Sequence, residues 1–435
     1  MPGLVVLLVL APALMALWFT GPARRVGRLP AFAGAAGALL IGLILSALVA
    51  SGRRPQVGDP DAPWLRVDAV SVTLALVVAL LGVTVLAYAS RNLQGDPMAW
   101  RFMALANGLL ASTLLMGVAA RFSVLALGWV LTSGAIIGLI AYRGDQGARA
   151  AARRTATALG CGDLALVAAL VVVLASVGDP DLRALGDTAA DLAGRDLSGL
   201  GLPSLSLAPL VALLLVVAAA ARAAQLPFLG WLTGTLAAPT PVSALLHAGA
   251  VNAGGFLLVR FGPLLEVTPS AARVLIAVTL ATIVIAAGAA LIRPDVKGSL
   301  AASTSAQMGF MLLAVAVGAP AAALSHLVGH ALYKSTRFLG AGDAIGRSLT
   351  ARRSRRPQDR TEPVAVRTGL ALLIPVVALT AVGAVLSPST MHGADGWIVG
   401  TAVLAAGVQA TWSWLARWPG PLSAAVAIAL ATQTA

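Results

Sequence analysis

The sequence predicts an all-α, polytopic membrane protein with about 13–14 transmembrane helices. Hydrophobic residues make up 59% of its 435 positions and charged residues 11%, a balance that a soluble protein does not keep in water. Apolar stretches of about 20 residues recur, each long enough to cross a hydrocarbon core of roughly 30 Å. The arginines gather between these stretches. Helices are expected throughout because lipid offers no partner to an open strand edge.

The first span, residues 3–20, lacks a basic segment before it and is followed by Arg24, Arg25 and Arg28. It reads as a retained helix rather than a signal peptide. Spans follow at 31–51, 69–89, 102–119, 122–142, 157–177 and 207–223, and resume at 241–260, 271–292, 298–318, 321–343, 367–387, 397–415 and 419–433. Tryptophans 18, 64, 100, 397 and 418 lie near proposed span ends, where an amphipathic ring is favoured.

The net charge of +13 does not indicate nucleic acid, since the arginines sit in short connections rather than on one folded surface. They read as topology signals. Besides the first trio, Arg143, Arg149, Arg153 and Arg154 form one group, and Arg347, Arg352, Arg353, Arg355, Arg356, Arg360 and Arg367 another. The segment 179–206 instead carries Asp179, Asp181, Asp187, Asp191 and Asp196. Counting crossings places the basic groups together on the cytoplasmic side and the N-terminus outside.

Two places interrupt the pattern. In ARAAQLPFLGWLTGTLAAPTP, residues 221–241, Pro227, Pro239 and Pro241 remove backbone donors, and such breaks tend to line a cavity. Pro375 marks the second, in the span 367–387. A broken helix in each half is the pattern of an inverted-repeat transporter.

An ionised side chain at mid-membrane costs about 2.5–3.5 kcal/mol on insertion scales, so each one calls for a reason. Of the 30 basic residues only Lys297 and Lys334 are lysines, and lysine, unlike arginine, releases a proton when desolvated. His326, His330 and Lys334 recur at i, i+4 and i+8, which puts them on one helix face over roughly 12 Å of depth. This stripe is expected to carry protons. His247 follows the proline pair, with Thr240, Ser243 and Asn252 as polar neighbours that water can bridge. Asp163, in GCGDLAL, is either a counter-charge for a lysine or arginine or half of a structural ion pair. Arg222 is read as a fixed positive charge facing the cavity in preference to a residue snorkelling to the interface. Ser303, Thr304, Ser305 and Gln307 form a polar cluster whose hydroxyls have the alternative of bonding back to their own helix. Arg337 is expected to modulate Lys334 by like-charge repulsion, and Asp343 to act as a partner for Arg337 or as a cytoplasmic exit group. Lys297, with Asp295 close by, reads as snorkelling or as a second modulator together with Gln307.

One cysteine, Cys161, excludes an internal disulfide, and four histidines at 247, 326, 330 and 392 supply no clear metal-ligand set. No cofactor and no metal are expected, and the chain reads as a transporter subunit rather than an enzyme.

Three stretches, AAQLPFLGWLTGTLAAPTPVSALLHAGAVNAGGFLLVRF, DVKGSLAASTSAQMGFM and HLVGHALYKSTRFLGAGD, resemble the proton-conducting antiporter-like subunits of respiratory complex I and Mrp antiporters. NAGGFL and STSAQMGFM look most like the membrane subunits, DabB, of DAB inorganic-carbon accumulation complexes. The strong likeness covers about 225–343 and a weaker one reaches back to about residue 65. It implies an antiporter-like fold with two inverted five-helix repeats: N-terminal helices in 1–101, a first repeat in 102–260, a second in 261–418, and a C-terminal segment 419–435. By position, His247 matches the histidine after the broken helix, His326, His330 and Lys334 the central relay, and Asp163 the acid of the GD motif. Three departures stand out. Val130 follows Gly128 and Trp129 where complex I subunits carry a glutamate, Arg222 replaces a lysine, and the region Val382 to Ser389 lacks a distal lysine. The resemblance implies conduction of H⁺ or Na⁺ that drives a peripheral zinc-binding, DabA-like subunit similar to a carbonic anhydrase. The alternatives are a subunit of an NADH-quinone oxidoreductase or an Mrp-type antiporter.

Overall fold

The computed structural model describes residues 1–20, 32–196, 206–235 and 238–342. All eleven spans expected up to residue 343 are helical. The expected spans 367–387, 397–415 and 419–433, Pro375, His392, Asp343, the trio Arg24, Arg25 and Arg28, and the third arginine group lie outside the described residues.

The helices run in order as α1 (Pro2–Thr20), α2 (Ala33–Ala50), α3 (Ala69–Asn92), α4 (Ala99–Val118), α5 (Phe122–Ala141), α6 (Gln146–Val177), α7 (Leu185–Ala193), α8 (Leu207–Arg222), α9 (Leu229–Thr233) and α10 (Thr240–Ala248). After a 3-10 turn at Ala250–Asn252 come α11 (Ala253–Arg260), α12 (Gly262–Glu266), α13 (Pro269–Ile292), α14 (Val296–Ala316) and α15 (Pro320–Gly342). Among the described residues, nine stretches are long and apolar enough to cross a membrane, with α10 to α11 counted as one. Helix α8 has 16 residues, and α15 has 23 but carries the polar stripe.

Three features depart from the sequence reading. Helix α6 starts at Gln146 rather than near 157, because Asp145 caps it by accepting from the Ala148 N–H at 2.7 Å and the following residues are rich in alanine. Its 32 residues span roughly 48 Å, so Arg149, Arg153 and Arg154 ride on a helix that overshoots the hydrocarbon rather than in a loop. The expected span 241–260 is itself broken: α10 stops at Ala248 and α11 resumes at Ala253. The acidic segment folds α7, whose Leu185, Ala189 and Leu192 face inward at i, i+4 and i+7. A short antiparallel hairpin, β1 (Gln56–Gly58) and β2 (Pro63–Arg66), joins α2 to α3.

The segments that crossing parity puts on one side meet at one end of the bundle. Arg66 pairs with Asp181 at 2.7 Å. Asp179 accepts from the Ser123 N–H at 3.1 Å, and the Ala120 N–H donates to Trp64 O at 2.9 Å. Asp68 caps α3 through the Ser71 N–H and takes both terminal nitrogens of Arg260, at 2.6 and 2.9 Å, clasping α3 to the end of α11. Burial by itself would raise the Asp68 carboxyl, but Arg260 and Ser71 outweigh it and hold the group down at about 2. Asp181 is lowered too, its burial outweighed by Arg66 and the Arg183 N–H.

Glycines let the helices that carry the site approach closely. A Cβ at Gly162 would stand 2.7 Å from Ala221 Cβ, one at Gly254 2.6 Å from Ala219 O, and one at Gly128 2.8 Å from the Met116 nitrogen. Thus α6 and α11 lie hard against α8, and α5 against α4.

Candidate functional site

The first buried cluster joins α5, α6 and α8. Arg222, at the end of α8, is 1% exposed and does not reach an interface, so snorkelling is ruled out for it. Its Nη2 lies 3.3 Å from Asp163 Oδ1, 2.6 Å from Ser133 Oγ and 3.1 Å from Trp129 O. The guanidinium carbon sits 4.2 Å from the centroid of the Trp129 ring, a cation–π contact that desolvation strengthens. Trp129 Nε1 and Ser133 Oγ each donate to Asp163 Oδ1 at 2.8 Å. Asp163 is therefore the counter-charge of an arginine, in an ion pair that holds two helices together. Val130, where the resemblance leads one to look for a glutamate, points outward and is 40% exposed. Ser133 did not stand out in the sequence, and Trp129 did so only as the residue before Val130, although a tryptophan and a serine one helical turn apart, opposite GD, were the available signal.

The second cluster joins α10, α14 and α15. Lys334 is 1% exposed; its Nζ donates to Leu300 O at 2.9 Å and to Ser303 Oγ. The lysine thus takes up a carbonyl and a hydroxyl on the first turns of α14. Ser303 was expected to be able to bond back to its own helix. It does so, donating to Leu300 O at 3.0 Å, and it also accepts the lysine. Thr304 only bonds back. One turn from Lys334, His330 Nε2 sits 3.1 Å from His247 O, and a further turn away the His326 ring stacks on that of His330 at 5.8 Å. The expected face is therefore shared, and it meets α10 at the end of the broken helix. His247 is fully buried and stacks on Phe338 at 4.5 Å. Its expected neighbours do not bond its ring: Asn252 donates to Ala248 O, and Ser243 Oγ and both His247 ring nitrogens have no protein partner. The break after His247 owes its shape to Gly249, where a Cβ would stand 2.8 Å from Leu245 O.

The remaining candidates lie at the margins. Lys297 Nζ reaches Ala238 O at 3.4 Å. Asp295 does not pair with it, because that carboxylate caps α14 through the Gly298 N–H. Gln307 lies half-buried on α14. Arg337 lies 6.0 Å from the Tyr333 ring centroid.

Chemically the two clusters differ. A lysine and imidazoles exchange protons, whereas a guanidinium keeps its own. His247, His326 Nε2, Ser243 Oγ and Ser305 Oγ, buried without protein partners, are the kind of groups that water or a moving ion satisfies. Among the described residues no group of three or more His, Cys, Asp or Glu side chains is placed to hold a metal ion.

Residues 119–420 match the family described as NADH:quinone oxidoreductase/Mrp antiporter, TM. The chain is 34% identical over 351 residues to the probable inorganic carbon transporter subunit DabB1 of Halothiobacillus neapolitanus, covering 79% of this chain and 61% of that one. It is 45% identical over 176 residues to the probable inorganic carbon transporter subunit DabB of Bacillus subtilis, 40% of this chain and 34% of the relative. With NADH-quinone oxidoreductase subunit L of Escherichia coli it shares 34% over 296 residues, 67% of this chain and 46% of that subunit. The chain thus spans less than two thirds of the length of these relatives. A chain of the Mrp complex from Dietzia sp. superposes with a TM-score of 0.70 at 27% identity, covering 98% of this chain and 50% of that one. A chain of Thermus thermophilus respiratory complex I shares the fold at 21% identity and a TM-score of 0.65, covering 99% of this chain and 87% of that one. The all-α, antiporter-like fold expected from the sequence is the fold observed.

Proposed function

The chain belongs to the NADH:quinone oxidoreductase/Mrp antiporter transmembrane family, and from that premise we propose that it is a cation-conducting subunit of a multi-subunit membrane complex. The observation that carries the reading is the contact of buried Lys334 with Leu300 O and Ser303, continued one turn away by His330 against His247 O. It supplies an exchangeable amine and three imidazoles where helix α10 breaks. In this reading Lys334, His330, His326 and His247 pass the ion, Asp163 and Arg222 supply a fixed field beside it, and Lys297, Gln307, Arg337 and Asp343 modulate it. The two repeats divide near residue 260, the basic connections face the cytoplasm and the N-terminus lies outside.

Among the relatives, the proteins named as inorganic carbon transporter subunits support a finer reading. Flux of H⁺ or Na⁺ through this chain drives uptake of carbon dioxide or bicarbonate by a peripheral zinc-binding, DabA-like partner resembling a carbonic anhydrase. A second reading, a subunit of a quinone oxidoreductase or an Mrp-type antiporter, is favoured by the likeness to subunit L and to the Mrp chain. The outward-facing Val130, in place of an acid, weighs against it. Affinity purification from the native membrane tests the choice: a large soluble zinc protein retained with the chain supports the carbon reading, and redox subunits in its place overturn it. Lys334→Met is expected to abolish carbon-dependent growth at normal expression; unchanged growth would leave a scaffold without conduction.

A further inference from the structure

Two residues after Arg222 the backbone makes a turn that its composition does not favour. Ala224 adopts φ +49°, in the left-handed region that a residue with a Cβ seldom enters. The turn is held by Gln225, which is fully buried. The Gln225 N–H donates to Ala220 O at 2.8 Å, and its carbonyl accepts from the Phe228 N–H at 2.6 Å. Its side-chain Nε2 donates to Ala223 O at 2.7 Å and, across to α14, to Ser305 O at 3.1 Å. The next residue joins α13, the Leu226 N–H donating to Thr282 Oγ1 at 3.0 Å. Two carbonyls on one amide nitrogen fix which way the amide faces. Its Oε1 is turned toward Gly309, where a Cβ would stand 3.1 Å away, and it has no hydrogen-bond donor. Ser305 follows Ser303, the residue that grips Lys334, by two positions on α14.

We propose that Gln225 is a positioning residue for ion conduction, latching the turn next to Arg222 to the helix that grips Lys334 so that both charged clusters shift together. This rests on the conduction reading above. An amide carries no charge and is not a proton carrier, so Gln225 acts through the α14 backbone. If Ser305 O loses its donor, α14 is freed to move, and with it the carbonyl and hydroxyl that hold Lys334. The titratable groups on the elements packed around that lysine are His326, His330, Tyr333 and Arg337 on its own helix, His247 on α10, Lys297 on α14, Arg260 on α11, and Tyr88 and Arg91 on α3.

The test uses the full chain with its co-purified subunits in liposomes, with ion flux followed by an internal dye while the external pH is varied. Gln225→Met keeps the volume and removes both donors. It is expected to lower flux about tenfold, near the top of the range for network mutations, and to move the pH of half-maximal flux by about half a unit. If Gln225→Met fails to accumulate, Gln225→Leu, which also lacks the donors and adds no titratable group, is judged by the same readout. A folded variant whose pH of half-maximal flux is unchanged, whatever its flux, overturns the latch. Wild-type flux in Lys334→Met would instead refute the role of Lys334 in conduction, and no flux in the wild type would refute conduction itself.

Discussion

Removing Asp163 tests how the first cluster holds its arginine. Asp163→Leu deletes three contacts to one carboxylate oxygen, from Trp129 Nε1 and Ser133 Oγ at 2.8 Å and from Arg222 Nη2 at 3.3 Å. It leaves a guanidinium that is 1% exposed with only Trp129 O, Ser133 Oγ and the indole face. Stranding one member of a buried pair costs about 3–5 kcal/mol, and we expect about 3 here because three neutral contacts to the guanidinium survive. Asp163→Leu/Arg222→Leu removes both charges, and apolar replacement of a whole buried pair is close to neutral. The double variant should therefore regain about 2 kcal/mol over Asp163→Leu, a coupling that neighbouring residues show and distant ones do not. The measurement is denaturant unfolding of the purified chain in detergent, followed by tryptophan fluorescence, for the wild type and all three variants. Costs that add to within about 0.5 kcal/mol would refute the ion pair as the fixed element of this cluster.

Trp129→Phe keeps a ring over Arg222 but loses the bond to Asp163, so it should cost about 1–2 kcal/mol in the same unfolding assay, and Trp129→Ala considerably more. Gly254→Ala sets a Cβ 2.6 Å from a backbone carbonyl and is expected to destabilise by about 1–3 kcal/mol. Gly255→Ala meets the flexible end of Met311 and should cost clearly less, so comparing their melting temperatures checks whether α8 or α14 sets the approach of α11. Acid should loosen the clasp at the end of the bundle: despite burial, Arg260 and Ser71 hold Asp68 at about 2, below the usual carboxylate range. A lowered carboxyl adds stability that is present above its unfolded value and lost as pH falls through the folded one, so unfolding midpoints should drop between about pH 4 and 2. Asp68→Asn should be less stable at neutral pH and lose less on acidification.

Most of the scaffold and half of the site were legible in the residues. Period and length gave the helices, because a lipid-facing segment has to be apolar for about 20 residues, and the spacing of His326, His330 and Lys334 gave their common face. What escaped was set by partners distant in sequence. Trp129 and Ser133 look like ordinary span residues until Gly162 lets α6 approach and bring Asp163 to them. Asp295 lies two residues from Lys297, yet its carboxylate is claimed by helix capping. The interruption marked by prolines at 221–241 is present between α8 and α10, but the second break at Gly249 was hidden in an apolar run without a proline. Helix α7 was obscured by its acidic face.

Ion flux through the full chain and its partners in liposomes, comparing wild type with Lys334→Arg, tests the central claim most directly. Arginine keeps the charge and length but does not release its proton. The account predicts that Lys334→Arg is folded and fails to conduct, as Lys334→Met does. Conduction at the wild-type rate by Lys334→Arg would contradict it.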